Sequence, residues 1–247
     1  MTDLAYMVRE DWGQHGTGMA PQSKIIRDWL GDLPTVFATT DLKKYASLNS
    51  ADREFVEYVV GSAHSAKVVQ FQDFRQLRQP GEPVEGALVA LHPYLEHDCQ
   101  TLNDVVDVGR VSRLFVIVWS RKDMVRIMLD GLGAIDLHTG GAAPLVDPVQ
   151  LEAAKCMVSE QYNGLSSGNG KAAVVQLVRA FTAEGYPLDT DSWLRAFFAA
   201  KGEVRHAESI SKLVMEMQKG VKHRVRERYR PEIVSILRER AAKEPSA

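Results

Sequence analysis

From Gly86 to His138 the chain alternates short apolar runs with amphipathic runs of helical period, and this alternation restricts its fold more than any other feature. Residues 86–91, 113–119 and 134–138 read as strands, and 98–108 and 123–132 as the helices between them. The same order is visible upstream. Residues 4–9, 35–39 and 67–71 are strand candidates. A helix beginning near 21–23 carries Ile25, Ile26, Trp29 and Leu30 on one face, and one over 52–62 carries Phe55, Val56, Val59 and Val60. Strands separated by single helices cannot pair as hairpins, so they predict a mostly parallel sheet covered on both faces. With right-handed crossovers this becomes a Rossmann-like three-layer α/β sandwich. Residues 75–83, with their Pro-Gly and Glu-Pro breaks, read as a polar loop.

The alternation ends at Gly140–Pro148, rich in Gly, Ala and Pro. This places an α/β domain at 1–140, a linker at 141–148 and a helical domain at 149–247. The second part reads as helices at 149–162, 171–184, 192–201, 206–219 and 231–243. They are punctuated by the small-residue turn 165–170, by Asp189-Thr-Asp191 as an N-cap, by Gly202 and by Pro231.

Charge is divided just as unevenly. Residues 201–247 hold twelve Lys/Arg against seven Asp/Glu, whereas the first 200 hold eighteen against twenty-five. The reversal is concentrated in 219–230, where Lys219, Lys222, Arg224, Arg226, Arg228 and Arg230 face a single acid, Glu227. From 222 onward the basic residues fall on every second position, the period of an extended strand. Three helices followed by such a strand reproduce the order of a winged helix, which would present 206–219, with Ser209, Ser211, Lys212 and Gln218, to a major groove. The expected partner is nucleic acid, double-stranded DNA first, with Lys212 and the six basic residues of 219–230 as its contacts. An acidic protein surface is the alternative, which would make the chain an interaction scaffold, and self-association is compatible with either.

A second class of function would sit on the α/β domain, as an enzyme or a nucleotide-binding protein. Open parallel sheets bind ligands beyond the carboxyl ends of their strands. His92, His97 and Asp98 follow the strand 86–91, and His138 ends a neighbouring one; these are the acid–base candidates. The loop after the first strand offers Gly13, His15, Gly16, Thr17 and Gly18 for an anion, although their spacing is not the GxGxxG of a dinucleotide site. Gly164–Lys171 has one residue too many for a P-loop, and Ala172 stands where a magnesium-binding hydroxyl would be required. No cofactor is indicated and no metal-ligand spacing is present. Cys99 and Cys156 lack a CxxC partner and read as reduced thiols. With no secretory signal and no apolar run long enough to span a bilayer, the expected location is the cytoplasm.

Overall fold

A computed structural model describes residues 2–14, 18–47, 50–61, 66–82 and 84–243, with the side chains of 13, 14, 75 and 76 left aside. The chain divides into two compact units, Met1–Ala143 and Pro144–Ala247.

In the first unit β1 (Asp3–Val8) leads through α1 (Glu10–Gln14) and α2 (Met19–Leu30) to β2 (Thr35–Thr39). Next come α3 (Leu42–Tyr45), α4 (Ala51–Val60), β3 (Lys67–Gln70), a 3-10 helix (Phe71–Arg78) and β4 (Val84–Leu91). The unit closes with α5 (Glu96–Val108), β5 (Val111–Val118), α6 (Met124–Gly131), β6 (Ile135–Asp136) and β7 (Gly141–Ala142). The strands form one sheet in the order β3-β2-β4-β5-β1-β6-β7, parallel except for the β6–β7 pair. Its central strands are buried on both faces, as Ala87–Leu91 and Leu114–Val118 show, which explains why they read as unbroken apolar runs.

The two faces are covered by different helices. Ala5, Met7, Phe37, Val89 and Phe115 pack with Ile26 and Leu30 of α2 and with Phe55, Val56 and Val59 of α4. Tyr6 points to the opposite face, where its hydroxyl donates to Asp130 of α6 at 2.8 Å. The α5 helix packs on β5 and on the 3-10 helix. The helices that follow β1 and β2 therefore lie on one side, and those that follow β4 and β5 lie on the other. Two neighbouring strand pairs, β2–β4 and β1–β5, thus send their chains in opposite directions, which opens a crevice at the carboxyl edge.

Two loop expectations are corrected. Residues 71–78 are helical because Phe71 and Phe74 are both buried, and a spacing of three places them on one face of a 3-10 turn. Gln70 and Asp73 close its start reciprocally, as a capping box. The expected linker contains β7, which pairs antiparallel with β6.

The second unit holds α7 (Pro148–Glu160), α8 (Gly168–Ala183), α9 (Thr190–Ala199), α10 (Ala207–Gln218) and α11 (Ile233–Lys243). Asp147 starts α7 by accepting from the amides of Val149 and Gln150, both at 2.9 Å, with Pro148 in the first turn. Asp189 caps α9 through Ser192 N at 2.7 Å. The core is aromatic, with Phe181 and Trp193 in edge contact at 5.3 Å and Phe197 and Phe198 fully buried. Residues 221–230 form no strand and therefore no β-wing: their main chain is held by side chains of α8 rather than by another strand. Among the described residues no helix is long and apolar enough to cross a membrane.

Candidate functional site: the carboxyl edge of the sheet

The ladder between β1 and β5 runs past the strand ends. Arg9 N donates to Val118 O at 2.8 Å and Glu10 N to Trp119 O at 3.2 Å, which places Arg9 and Trp119 side by side at the edge. His92 follows β4 directly. Its amide donates to Ile117 O at 3.1 Å, and its backbone then turns through φ +47°, a left-handed conformation unusual for a residue with a Cβ. Thr39 and Thr40 follow β2, and Asp41 caps α3 through the amides of Lys43 and Lys44. Ser50 caps α4 through Arg53 N, which fixes Asp52 in the first turn of that helix.

These segments enclose a cavity of about 490 Å³, lined by Arg9, Thr40, Tyr45, Asp52, His92 and Trp119 among others. In its wall Nε2 of His92 lies 3.2 Å from Oδ1 of Asp52 and 3.1 Å from Nη1 of Arg9, and Arg9 lies 3.7 Å from the same carboxylate oxygen. One ring nitrogen cannot donate to Asp52 and accept from Arg9 at once. A lone pair on Nε2 would face a carboxylate, so we assign the proton to Nε2, donating to Asp52, and leave Nδ1 as an acceptor. Arg9 is also held over the rings of Trp12 and Trp119, at 5.5 and 5.6 Å, and His92 meets Trp119 edge-on at 5.2 Å.

Burial lowers the pKa of Arg9, opposed by the charges of Asp52 and Glu54. Burial alone would raise Asp52. The hydrogen bond from His92, with the charges of Arg9 and Lys44, outweighs it and holds the carboxyl below its ordinary range. The cluster is a desolvated ion network rather than a surface salt bridge.

Two polar atoms in this wall are left over. Nδ1 of His92 and the hydroxyl of Tyr45 are buried with no hydrogen-bond partner among the described residues. A buried polar group without a partner costs about 1–3 kcal/mol, so both residues carry an unmet hydrogen bond beside the cavity. At the mouth the rings of Tyr94 and Trp119 stand 68% and 61% exposed. Beside the cavity, Thr40 donates its hydroxyl to Asp98, a side chain only 2% exposed that also meets His97 at 3.2 Å. Burial pushes the pKa of Asp98 up, against the hydrogen bond of Thr40 and the charge of His97.

The expected site residues are only partly brought together. His92 joins Asp52, and His97 joins Asp98, as two separate pairs. His138 follows β6, its amide donating to Asp136 at 2.9 Å. Among the described residues no group of three His, Cys, Asp or Glu side chains is placed to hold a metal ion. Gly13 lies within α1, and Gly18 precedes α2 without a side-chain cap; His15, Gly16 and Thr17 lie outside the described residues. Sequence reasoning missed Arg9, Tyr45 and Asp52. Arg9 and Trp119 carried only a partial signal, since each is the first residue beyond a strand.

In the second unit Lys219, Lys222, Arg224, Arg226 and Arg230 are exposed. Arg228 is drawn back onto Glu160, a correction to its expected role as a free contact. Lys212 sits on α10 over a separate groove with Lys171, Glu208 and Glu216. Gln218 is engaged with Leu188 O at 2.7 Å. The small-residue turn before Lys171 serves packing: a Cβ on Gly170 would overlap the carbonyl oxygen of Gly164.

No family model, no curated protein and no solved structure matches the chain.

Proposed function

We propose that the first unit binds a small ligand of the nucleotide class in the crevice at the carboxyl edge of its sheet. The observation that carries this reading is that His92 and Tyr45, which line a cavity of about 490 Å³, each carry a buried polar atom with no partner among the described residues. That volume suits a ligand of nucleoside size. A flat ring finds Trp119 and Tyr94 at the mouth, where stacking covers aromatic surface now exposed to water. An exocyclic amine or hydroxyl donates to His92 Nδ1, and a carbonyl or ring nitrogen accepts from Tyr45. Lys44, which also lines the cavity, supplies a cation for a phosphate. The Asp52–His92–Arg9 network fixes the orientation of the wall before the ligand arrives, which reduces the entropy lost on binding.

A thermal-shift screen of the full chain against ATP, GTP, NAD and S-adenosylmethionine tests the class. A ligand at a hundred times its Kd stabilises the fold by about 2.7 kcal/mol, equivalent to a rise of several degrees in Tm. A shift with one or more of these compounds, absent in the Tyr45→Phe and His92→Gln variants, supports the reading. No shift with any of them contradicts it.

A further inference from the structure

We propose that residues 222–230 of the second unit bind the phosphodiester backbone of nucleic acid, independently of base sequence and of the ligand crevice on the first unit. Without a β-wing the main chain of this segment is still held at several points. Oε1 of Gln176 accepts from the amides of Arg228 and Tyr229 at 2.9 and 3.0 Å, and the same side chain donates to Arg226 O. Arg179 donates to His223 O at 2.6 Å. The inward positions are His223, which meets Glu216 at 3.4 Å, and the half-buried Val225 and Tyr229. The main chain is thereby held in place, with basic side chains turned outward.

Lys222, Arg224, Arg226 and Arg230 are those outward side chains. All four are exposed, and none makes an ion pair among the described residues. Arg228, tied to Glu160 and lying 5.9 Å from the ring of Tyr229, is the exception, and Glu227 is the one outward acid. Each of these cations that reaches a phosphate releases a counterion, which gives affinity without regard to sequence. The segment presents no helix or strand to a groove, and its outward side chains are long flexible cations. The recognition it supports is therefore of the backbone alone. Its fixed main chain leaves only side-chain freedom to be lost, which separates it from a disordered basic stretch.

The test is fluorescence anisotropy of the full chain with a labelled DNA duplex and a labelled RNA strand of arbitrary sequence, over about 50–200 mM KCl. Four phosphate contacts give a slope of about −3.6 in log K against log salt on duplex DNA. The Lys222→Ala/Arg224→Ala/Arg226→Ala/Arg230→Ala variant loses at least tenfold in affinity and most of that slope. A control with Arg27, Lys43, Lys67 and Lys122 changed to Ala stays within twofold of the wild type. Should the quadruple variant not fold, Lys222→Ala/Arg224→Ala loses at least threefold and about half the slope. Binding of DNA, RNA or both with these losses supports the proposal and shows which polymer is preferred. Failure to bind either at low salt, an equal loss in the control, or tighter binding of polyglutamate than of both nucleic acids overturns it.

Discussion

The carboxylate of Asp52, in the first turn of α4, lies 3.2 Å from Nε2 of His92, the residue that ends β4 in a left-handed turn. This contact joins a helix start to a strand end across the crevice and fixes the imidazole in the cavity wall. Arg9 completes the network from a third segment.

Removing the carboxylate leaves Arg9 and His92 partly buried without it. Asp52→Ala is expected to destabilise the first unit by about 1–3 kcal/mol at neutral pH, read as a lower urea midpoint. Asp52→Asn keeps the shape and removes the charge. The folded-state pKa of Asp52 is depressed, so its contribution is complete above the ordinary carboxylate value of about 3.9 and is lost as pH falls through the folded value. Urea midpoints measured from pH 7 down to pH 3 are expected to fall less steeply in Asp52→Asn than in the wild type. Parallel curves would remove Asp52 from the network.

Asp98 behaves in the opposite sense. Burial raises its folded pKa, so the native state binds its proton more tightly than the unfolded chain does. Stability is present at low pH, is lost as pH rises through the folded value, and stays lost above it. Asn in place of Asp98 keeps an acceptor for the Thr40 hydroxyl and removes the desolvated charge. Asp98→Asn is expected to match or exceed the wild-type Tm at pH 7 and to lose that advantage below pH of about 4, as differential scanning calorimetry would show. A lower Tm at pH 7 would mean that the carboxylate is needed in its charged form.

Gln176 holds residues 226–229 through three hydrogen bonds. Gln176→Ala is expected to leave α8 in place while freeing the basic segment, so that trypsin cuts after Arg224 or Arg226 at least tenfold faster under native conditions. Mass spectrometry of the early fragments checks this. Unchanged cleavage would show that the segment is ordered by other contacts.

Gly170 packs where any side chain would meet the carbonyl oxygen of Gly164. Gly170→Ala is expected to destabilise the second unit by about 3 kcal/mol or more, measured by urea denaturation, since main chain cannot move aside as a side chain can. Wild-type stability in this variant would contradict the close approach.

The sheet was legible because its signals are local. Thr35–Thr39 is a strand at the expected positions, and Ile26 and Leu30 bury the face that their spacing implied. The pairing order was not legible: nothing near β1 in the chain says that it lies between β5 and β6. The site inherits that blindness. His92 could be placed at a strand end from sequence, but Asp52 lies forty residues before it and reads only as an acid in the first turn of a helix. The alternation of Lys222–Arg230 implies a strand, and none forms there. Gln176 and Arg179, on a distant helix, take the hydrogen bonds that a second strand would otherwise supply.

The central claim is that the crevice binds a flat polar ligand beside His92 and Tyr45, with Trp119 at its mouth. Its most direct test is a fluorescence titration of Trp119 with the nucleotide that gives the largest thermal shift, in the wild type, Trp119→Phe and Tyr45→Phe. The expected result is saturable quenching in the wild type, no quenching in Trp119→Phe, and a Kd raised about five- to tenfold in Tyr45→Phe, the loss of about one buried hydrogen bond. Quenching that survives in Trp119→Phe, or a Kd unaffected by Tyr45→Phe, would place the ligand elsewhere and contradict the account.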